Sequence, residues 1–121
     1  MRRALIIDDD AFIAGIYAAK MEQAGYTVQV ASTARDAVHK AERTPPDVIM
    51  LDVVLGSANG LDVLSYLRQT NGCETTPVVI VSNQDDSRLM QEAQRRGASS
   101  YLIKSFYTPS EIVSRVRALS R

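Results

Sequence analysis

The 121-residue sequence contains one cysteine, one histidine and no tryptophan, and it has no long apolar segment. Because Cys73 is alone, the chain cannot form an internal disulfide, which fits a reducing compartment. His39 has no second histidine or cysteine nearby, which argues against a transition-metal site. The apolar runs are far shorter than the roughly 18 residues of a transmembrane helix, and there is no signal peptide. We therefore expect a soluble, cytoplasmic protein.

An excess of charge of either sign is also missing. The 14 basic and 14 acidic residues cancel to a formal net charge of zero, and there is no run of lysine or arginine. Nothing in this balance indicates direct binding to nucleic acid or to an anionic membrane. A chain of this length with 45% hydrophobic residues can bury one core, so we expect a single domain over residues 1–121, with no output domain in this chain.

The sequence does contain a regular series of short apolar segments rich in valine and isoleucine. They are bounded by Gly, Pro, Asn or Asp and read, in chain order, ALII, YTVQVA, DVIMLDVV, PVVIVS and SYLI. This pattern predicts five β-strands, separated by stretches long enough for helices. Strands that alternate with helices form a mostly parallel sheet covered on both faces, so the predicted fold is a doubly wound α/β sandwich of three layers.

Helix signals occupy the stretches between the strands. Ser32 or Thr33 can cap the second helix, and Gly25 and Gly97 follow the first and fourth helices. The first helix, over residues 11–24, and the last helix are both predicted to be amphipathic. The residues assigned to their buried faces are Phe12, Ile13, Ile16, Tyr17 and Met21 in the first helix, and Ile112, Val113, Val116 and Leu119 in the last.

Polar and charged residues directly follow four of the five predicted strands. In chain order they are Asp8, Asp9 and Asp10, then Asp52, then Ser82, then Lys104. Open parallel sheets bind ligands at the carboxyl ends of their strands, so these side chains are expected to converge. Asp8, Asp9 and Asp52 would form an acidic cleft that binds Mg²⁺. Asp10 is predicted to be a helix N-cap instead. A carboxylate beside a metal, a lysine and a hydroxyl can accept a phosphoryl group, so the sequence predicts a phosphoacceptor site.

Two motifs and three spacings carry a family resemblance. The motifs are LIIDDD and DVIMLDVVLGSANGLDVL. Gly60 lies eight positions and Ser82 thirty positions after Asp52, and Lys104 lies twenty-two positions after Ser82. From Leu5 to Leu119, the chain resembles the receiver domain of bacterial two-component response regulators, the CheY-like superfamily. The resemblance implies a flavodoxin-like (βα)5 fold with a five-stranded parallel sheet of order 2-1-3-4-5.

The resemblance also implies a role for each candidate site residue. Asp52 would be the phosphoacceptor, Lys104 and Ser82 would assist it, and Ser82 would form a switch with Tyr101. The implied Mg²⁺ ligands are Asp8, Asp9, Asp52 and the main-chain carbonyl of Val54. The residues that flank the site are Val54, Asn83 and Gln84, and of these Val54 and Gln84 occupy the variable positions that tune its rates.

The resemblance further implies the partners of the domain. A sensor histidine kinase or a histidine phosphotransfer protein would donate the phosphoryl group. A downstream protein target, or an output domain absent from this chain, would receive the signal. A homodimer would form through the fourth helix, the fifth strand and the fifth helix. The protein would not be an enzyme beyond assisting its own phosphorylation and dephosphorylation.

The chain departs from the family pattern at four positions. Ser105 replaces a proline that usually forms a cis bond with the lysine, so the Lys104–Ser105 bond is predicted to be trans, because a cis bond without proline costs about 2.5–4 kcal/mol. Asn83 replaces a small residue. Gly56 stands where proline is frequent, and Asn59 stands where aspartate is frequent.

These departures leave two other functions open. One is a receiver-like protein-interaction module that signals without phosphorylation, which Ser105 and Asn83 favour and the acidic cleft argues against. The other is a phosphohydrolase that uses Asp52 as nucleophile. Such enzymes require an aspartate two residues after the nucleophile, where this chain has Val54.

Overall fold

The computed structural model describes residues 2–120 and contains the predicted five-stranded parallel sheet. Its strands are β1 (Arg3–Ile7), β2 (Thr27–Ala31), β3 (Val48–Leu51), β4 (Val78–Ser82) and β5 (Ser100–Ile103). Its helices are α1 (Ala11–Gln23), α2 (Ala34–Arg43), α3 (Gly60–Gln69), α4 (Ser87–Arg95) and α5 (Pro109–Leu119). The strands lie in the order β2-β1-β3-β4-β5, which confirms the predicted fold class.

Both faces of the sheet are buried. Every residue of β3 and β4 is buried, as expected for central parallel strands that are covered on both sides. One core lies between the sheet and helices α2, α3 and α4, and a second core lies between the sheet and helices α1 and α5. The two layers of helices leave the carboxyl ends of the strands accessible at one edge.

Local signals account for the helix boundaries. The Asp10 side chain accepts hydrogen bonds from the backbone N–H groups of Phe12 and Ile13, so it caps α1 as predicted. Thr33 caps α2, and Thr108 forms a capping box with Glu111 at the start of α5. Among residues 2–120, no helix has both the length and the apolar character needed to cross a bilayer.

Two predictions about the apolar faces of the helices are wrong in detail. Phe12 is 79% exposed, because the buried residues of α1 are Ala14, Tyr17 and Met21, and a residue two positions before Ala14 projects roughly 200° away around the helix. Leu119 is 40% exposed, and near the end of α5 it is Ser120 that makes a buried contact, a hydrogen bond with Tyr26. The third strand ends at Leu51, so Asp52 directly follows it, as predicted.

The residues after β3 form a separate short hairpin. Val54–Leu55 pairs in antiparallel fashion with Ala58–Asn59, directly before α3. The apolar run DVIMLDVV therefore contains a sheet strand, the acceptor candidate and the start of this hairpin. The hairpin borders the carboxyl edge of the sheet.

Cys73 is expected to be unreactive in the folded protein. Its side chain is fully buried, and burial raises the pKa of the thiol, so both access and thiolate formation are suppressed. Alkylation by a maleimide should be about 100-fold or more slower than in concentrated urea, because it requires local unfolding. Mass spectrometry over time measures both rates; equal rates would show that this part of the core is open.

Candidate functional site

Four strands of the sheet deliver the predicted residues to one edge. Asp8 follows β1, Asp52 follows β3, Ser82 ends β4, and Lys104 follows β5. Parallel strands have their carboxyl ends at the same edge, so residues far apart in sequence become neighbours there. The structure places all four within the predicted cleft region, and it brings three of them into direct contact.

The centre of the site is the ammonium of Lys104. Its Nζ donates hydrogen bonds to Asp8 Oδ2 at 3.0 Å and to Asp52 Oδ2 at 2.9 Å. The side chain of Lys104 is 14% exposed, that of Asp8 is 5% exposed and that of Asp52 is 11% exposed. An unpaired charge in such a position would be costly, so the two carboxylates and the ammonium compensate one another.

The electrostatics of the site reflect a balance between burial and pairing. Burial raises the pKa of Asp52, although the hydrogen bond from Lys104 and the backbone N–H of Val54 oppose the rise. Burial acts to lower the pKa of Lys104, but its hydrogen bonds to Asp52 and Asp8 outweigh this and raise it. The ammonium therefore stays charged at neutral pH, beside a carboxylate whose ionised form is destabilised.

Backbone groups orient the remaining carboxylate oxygens. Asp52 Oδ1 accepts from the N–H of Val54 at 3.1 Å, and Asp8 Oδ1 accepts from the N–H of Asp10 at 2.9 Å. Asp9 differs, because it is exposed and its Oδ2 accepts from the N–H of Gly56 at 2.8 Å. Within residues 2–120, no three His, Cys, Asp or Glu side chains are grouped so as to hold a metal ion.

The donor set nevertheless fits a hard divalent cation. Asp8 and Asp52 already share one positive charge, that of Lys104, in a nearly buried position. Mg²⁺ is usually bound by one or two carboxylates, together with waters and phosphate oxygens. The arrangement seen here provides two carboxylates, those of Asp8 and Asp52, and Asp9 follows Asp8 directly in the sequence.

Gly60 is required by close packing against the backbone of Asp52 and Val53. A Cβ atom at this position would lie 2.2 Å from the carbonyl oxygen of Asp52 and 2.6 Å from Cα of Val53. Any side chain would push the start of α3 away from the backbone that carries Asp52. The spacing of eight residues noted in the sequence thus has a steric cause.

Ser82 and Tyr101 lie on the adjacent strands β4 and β5. Ser82 is completely buried, and its hydroxyl accepts from the N–H of Gln84 at 3.1 Å. The half-buried Tyr101 donates its hydroxyl to the carbonyl oxygen of Gln84 at 2.7 Å. Burial raises the pKa of Tyr101, and hydrogen bonding to Ser82 opposes the rise. Both residues are thus connected to the segment that leads into α4.

Replacing Tyr101 by Phe is expected to lower the free energy of unfolding by about 1 kcal/mol, because the hydrogen bond to Gln84 is lost while the ring is kept. Urea denaturation followed by far-ultraviolet circular dichroism measures this change. Tyr66→Phe is the matched control, since Tyr66 is 67% exposed. A Tyr101→Phe variant as stable as this control would contradict the contribution of the hydrogen bond.

The flanking residues form the rim of the site. Val54 is 49% exposed, and Asn83 and Gln84 are also exposed. No cis peptide bond occurs in the described part of the chain, so Lys104–Ser105 is trans, as predicted. Residues 104–106 form a short 3₁₀ turn instead.

Sequence reasoning missed two participants at the rim. Phe12 was assigned to the core, but it lines an open cavity of about 340 Å³ together with Asn83 and Lys104. Gly56 was noted only as a departure from the family pattern, although its N–H donates a hydrogen bond to Asp9. For Gly56, the available signal in the sequence was a glycine at a position where the family frequently has proline.

The fold and the site together define a doubly wound α/β protein with an acidic, lysine-bridged cleft at the carboxyl edge of its sheet. A family model for the response regulator receiver domain matches residues 4–117. The chain belongs to this family. It is 37% identical over 121 residues to the transcriptional regulatory protein KdpE of Mycobacterium tuberculosis, covering 100% of this chain and 52% of that protein.

Solved structures agree with this assignment. The receiver domain of the Francisella response regulator 1452 has a TM-score of 0.87 and 30% identity, with 99% of this chain and 97% of that chain covered. A response regulator from Burkholderia pseudomallei, solved with a phosphorylated aspartic acid and a calcium ion, has a TM-score of 0.86 and 25% identity, with 98% and 72% covered. The chain spans about half the length of the curated relatives it matches.

Proposed function

We propose that this receiver domain accepts a phosphoryl group on Asp52 from a sensor histidine kinase or a histidine phosphotransfer protein. The observation that carries the proposal is the contact of Asp52 with the Lys104 ammonium in a nearly buried cleft. A carboxylate in this setting is protected from bulk water, and a cation lies where phosphoryl charge would develop. Residues 1–121 act as one receiver domain in this proposal.

The transfer is a displacement at phosphorus. A carboxylate oxygen of Asp52 forms a bond to phosphorus while the bond to the donor imidazole nitrogen breaks, and that nitrogen keeps the electron pair. Such transfers depend mainly on positioning and charge stabilisation. Lys104 stabilises the negative charge on the phosphoryl oxygens, and the backbone N–H of Val54 orients the carboxylate before attack.

Mg²⁺ would be held by Asp8, Asp9, Asp52 and the main-chain carbonyl of Val54, and when bound it supplies positive charge to the phosphoryl oxygens. The carboxylates of Asp8 and Asp52 support this role because they are oxygen donors that already share a cationic partner. The phosphoaspartate and calcium ion in the Burkholderia response regulator support a divalent-metal requirement for the same chemistry.

The response to phosphorylation would begin at Ser82. Its buried hydroxyl lies at the end of β4 and would donate a hydrogen bond to the phosphoryl group. Ser82 and Tyr101 both bond to Gln84, so a shift of Ser82 disturbs the segment leading into α4. The surface formed by α4, β5 and α5 would then change its affinity for a downstream target, an output domain or a second copy of the chain.

The direct test is the intact mass of the protein after incubation with acetyl phosphate, with and without Mg²⁺. The proposal predicts one phosphoryl adduct that requires Mg²⁺, and beryllium fluoride should bind at the same site as a phosphoryl mimic. If neither the phosphoryl adduct nor beryllium fluoride binding were detected, the proposal would be contradicted. It would favour the phosphorylation-independent interaction module.

A further inference from the structure

A cavity of about 340 Å³ opens beside Lys104, between α1 and the segment that joins β5 to α5. Lys104 borders this cavity and donates a hydrogen bond to Asp52, so the cavity adjoins the proposed acceptor. The guanidinium of Arg115 lies 4.5 Å from the centre of the Tyr107 ring and stabilises that wall. The apolar walls of the cavity are formed by Phe12, Ile13, Tyr107 and Pro109.

The hydroxyl of Tyr17 is a polar group at this cavity that no part of the proposed function uses. Tyr17 is only 2% exposed, yet its hydroxyl makes no hydrogen bond within residues 2–120. Every fully buried side-chain nitrogen or oxygen of these residues has a partner, so this hydroxyl must reach the open surface of the cavity. Burial raises the pKa of Tyr17, so the hydroxyl keeps its proton at neutral pH and can donate it in a hydrogen bond.

Two other lining residues carry hydrogen-bond donors. The ammonium of Lys104 has three N–H groups, of which two bond to the carboxylates of the site, so one remains for a group in the cavity. Asn83 lines the cavity as well and has a side-chain amide. The Asp10 carboxylate also borders it, but this group already accepts two backbone N–H groups as the cap of α1. The lining therefore combines donors for an oxygen atom with walls for a short apolar group, as ligand sites usually do.

We infer that this cavity binds the acyl group of a small acyl phosphate that phosphorylates Asp52, with Tyr17 as a hydrogen-bond donor to the acyl oxygen. This inference rests on the proposed function, because it takes Asp52 as the acceptor, and it adds a second class of phosphodonor. An oxygen of Asp52 forms a bond to phosphorus while the bond from phosphorus to the bridging oxygen breaks. The bridging oxygen keeps the electron pair, so a carboxylate leaves.

The donors of the cavity act on the charge that this step creates. The acyl group is neutral before the transfer and becomes a carboxylate as the bond to phosphorus breaks. Hydrogen bonds from Tyr17 and Lys104 therefore strengthen in the transition state and increase the rate. The apolar walls favour an acyl group larger than acetyl, because a ring between Phe12 and Tyr107 is withdrawn from water.

Three phosphodonors separate the cavity from the acceptor chemistry. Benzoyl phosphate and acetyl phosphate both carry an acyl oxygen, whereas phosphoramidate releases ammonia and has neither an acyl oxygen nor an apolar body. Intact mass over time in saturating Mg²⁺ gives the rate of adduct formation with each of them. In the wild type, benzoyl phosphate should react about 5-fold faster than acetyl phosphate at equal subsaturating concentration, because its ring fills the cavity.

Replacing Tyr17 by Phe should slow both acyl phosphates by roughly tenfold, because one hydrogen bond to the leaving group is lost. The rate with phosphoramidate should stay within about 2-fold of wild type, and so should the urea midpoint, since the hydroxyl bonds to no described protein group. Tyr66→Phe is the matched control, because Tyr66 is 67% exposed and lies outside the cavity. It should leave all three rates unchanged.

A second variant tests the apolar wall. Phe12 is 79% exposed, so Phe12→Ala should fold normally and abolish the preference for benzoyl over acetyl phosphate. If Tyr17→Phe does not fold, this variant decides.

The possible results distinguish the inference from the proposed function. If Tyr17→Phe slowed all three phosphodonors equally, or slowed none, the inference would be overturned and the proposed function would stand. A preference for benzoyl phosphate that survived in Phe12→Ala would also overturn it. Absence of an adduct with every phosphodonor would overturn the inference, and absence of beryllium fluoride binding as well would overturn the proposed function with it.

Discussion

Replacing Asp52 by Asn is expected to abolish the phosphoryl adduct while leaving the protein at least as stable as wild type. The amide keeps the shape of the side chain, and its one oxygen can accept the hydrogen bond of either Lys104 or Val54, which bond to different oxygens of Asp52. It cannot act as the nucleophile, because the amide oxygen carries no full negative charge. Intact mass after incubation with acetyl phosphate and Mg²⁺ measures the adduct.

The stability of this variant follows from the pKa of Asp52. Burial raises that pKa above its ordinary value of 3.8, so the folded state binds the proton more tightly than the unfolded chain does. The stability contributed by this group is therefore present below 3.8 and is lost as the pH rises through its higher folded pKa. At neutral pH the ionised carboxylate destabilises the fold, and a neutral asparagine removes that destabilisation. Urea denaturation at neutral pH measures the difference.

A matched control separates the acceptor from other aspartates. Asp85 is exposed, and Asp85→Asn should form the adduct at the wild-type rate. An adduct of undiminished yield on the Asp52→Asn variant would place the acceptor elsewhere in the chain. Loss of the adduct together with loss of the folded state would contradict the stability argument.

Replacing Lys104 by Met should have the largest effect on stability. The methionine keeps most of the side-chain volume but leaves the carboxylates of Asp8 and Asp52 close together without their cation. We expect the free energy of unfolding at neutral pH to fall by about 2 kcal/mol, less than for a fully buried pair because the lysine is 14% exposed. Phosphorylation by acetyl phosphate should slow by about 100-fold, since one charge-stabilising group is lost.

The loss of stability caused by Lys104→Met should become smaller at low pH. Removing the ammonium removes the largest influence that lowers the pKa of Asp52, so the folded-state pKa rises further above 3.8. The deficit of the variant should therefore shrink as the pH falls toward 3.8, because the unpaired Asp52 carboxylate becomes protonated. Urea denaturation curves of both proteins across this pH range provide the measurement.

Lys20→Met is the control for this substitution, because Lys20 lies on α1 away from the carboxylates of the site. It should change the free energy of unfolding by less than about 0.5 kcal/mol. A Lys104→Met variant that matched this control at every pH would show that Lys104 does not compensate the acidic cleft.

Much of the fold was predictable because its signals are local. Short apolar runs followed by polar residues predicted five parallel strands, and the capping roles of Asp10 and Thr33 followed from residue type and position. The convergence of Asp8, Asp52 and Lys104 was also predictable. Residues that follow parallel strands meet at one edge of the sheet, whatever the sequence distance between them.

The directions of individual side chains were not predictable in the same way. The sequence places Asp8 and Asp9 side by side, yet only Asp8 faces Lys104, because successive residues of an extended chain point to opposite sides. Phe12 looks like a core residue in an apolar segment, but the register of α1 against the sheet exposes it.

The sequence by itself thus determined the order of the elements, the residues at the carboxyl edge and the chemistry available there. Only the tertiary structure decided how that chemistry is paired. Lys104 bridges two carboxylates and Gly56 binds the third through contacts that span 96, 52 and 47 positions of the chain. The partners of Lys104 are selected by packing and by the cost of leaving buried charges unpaired, and neither is encoded in a local pattern.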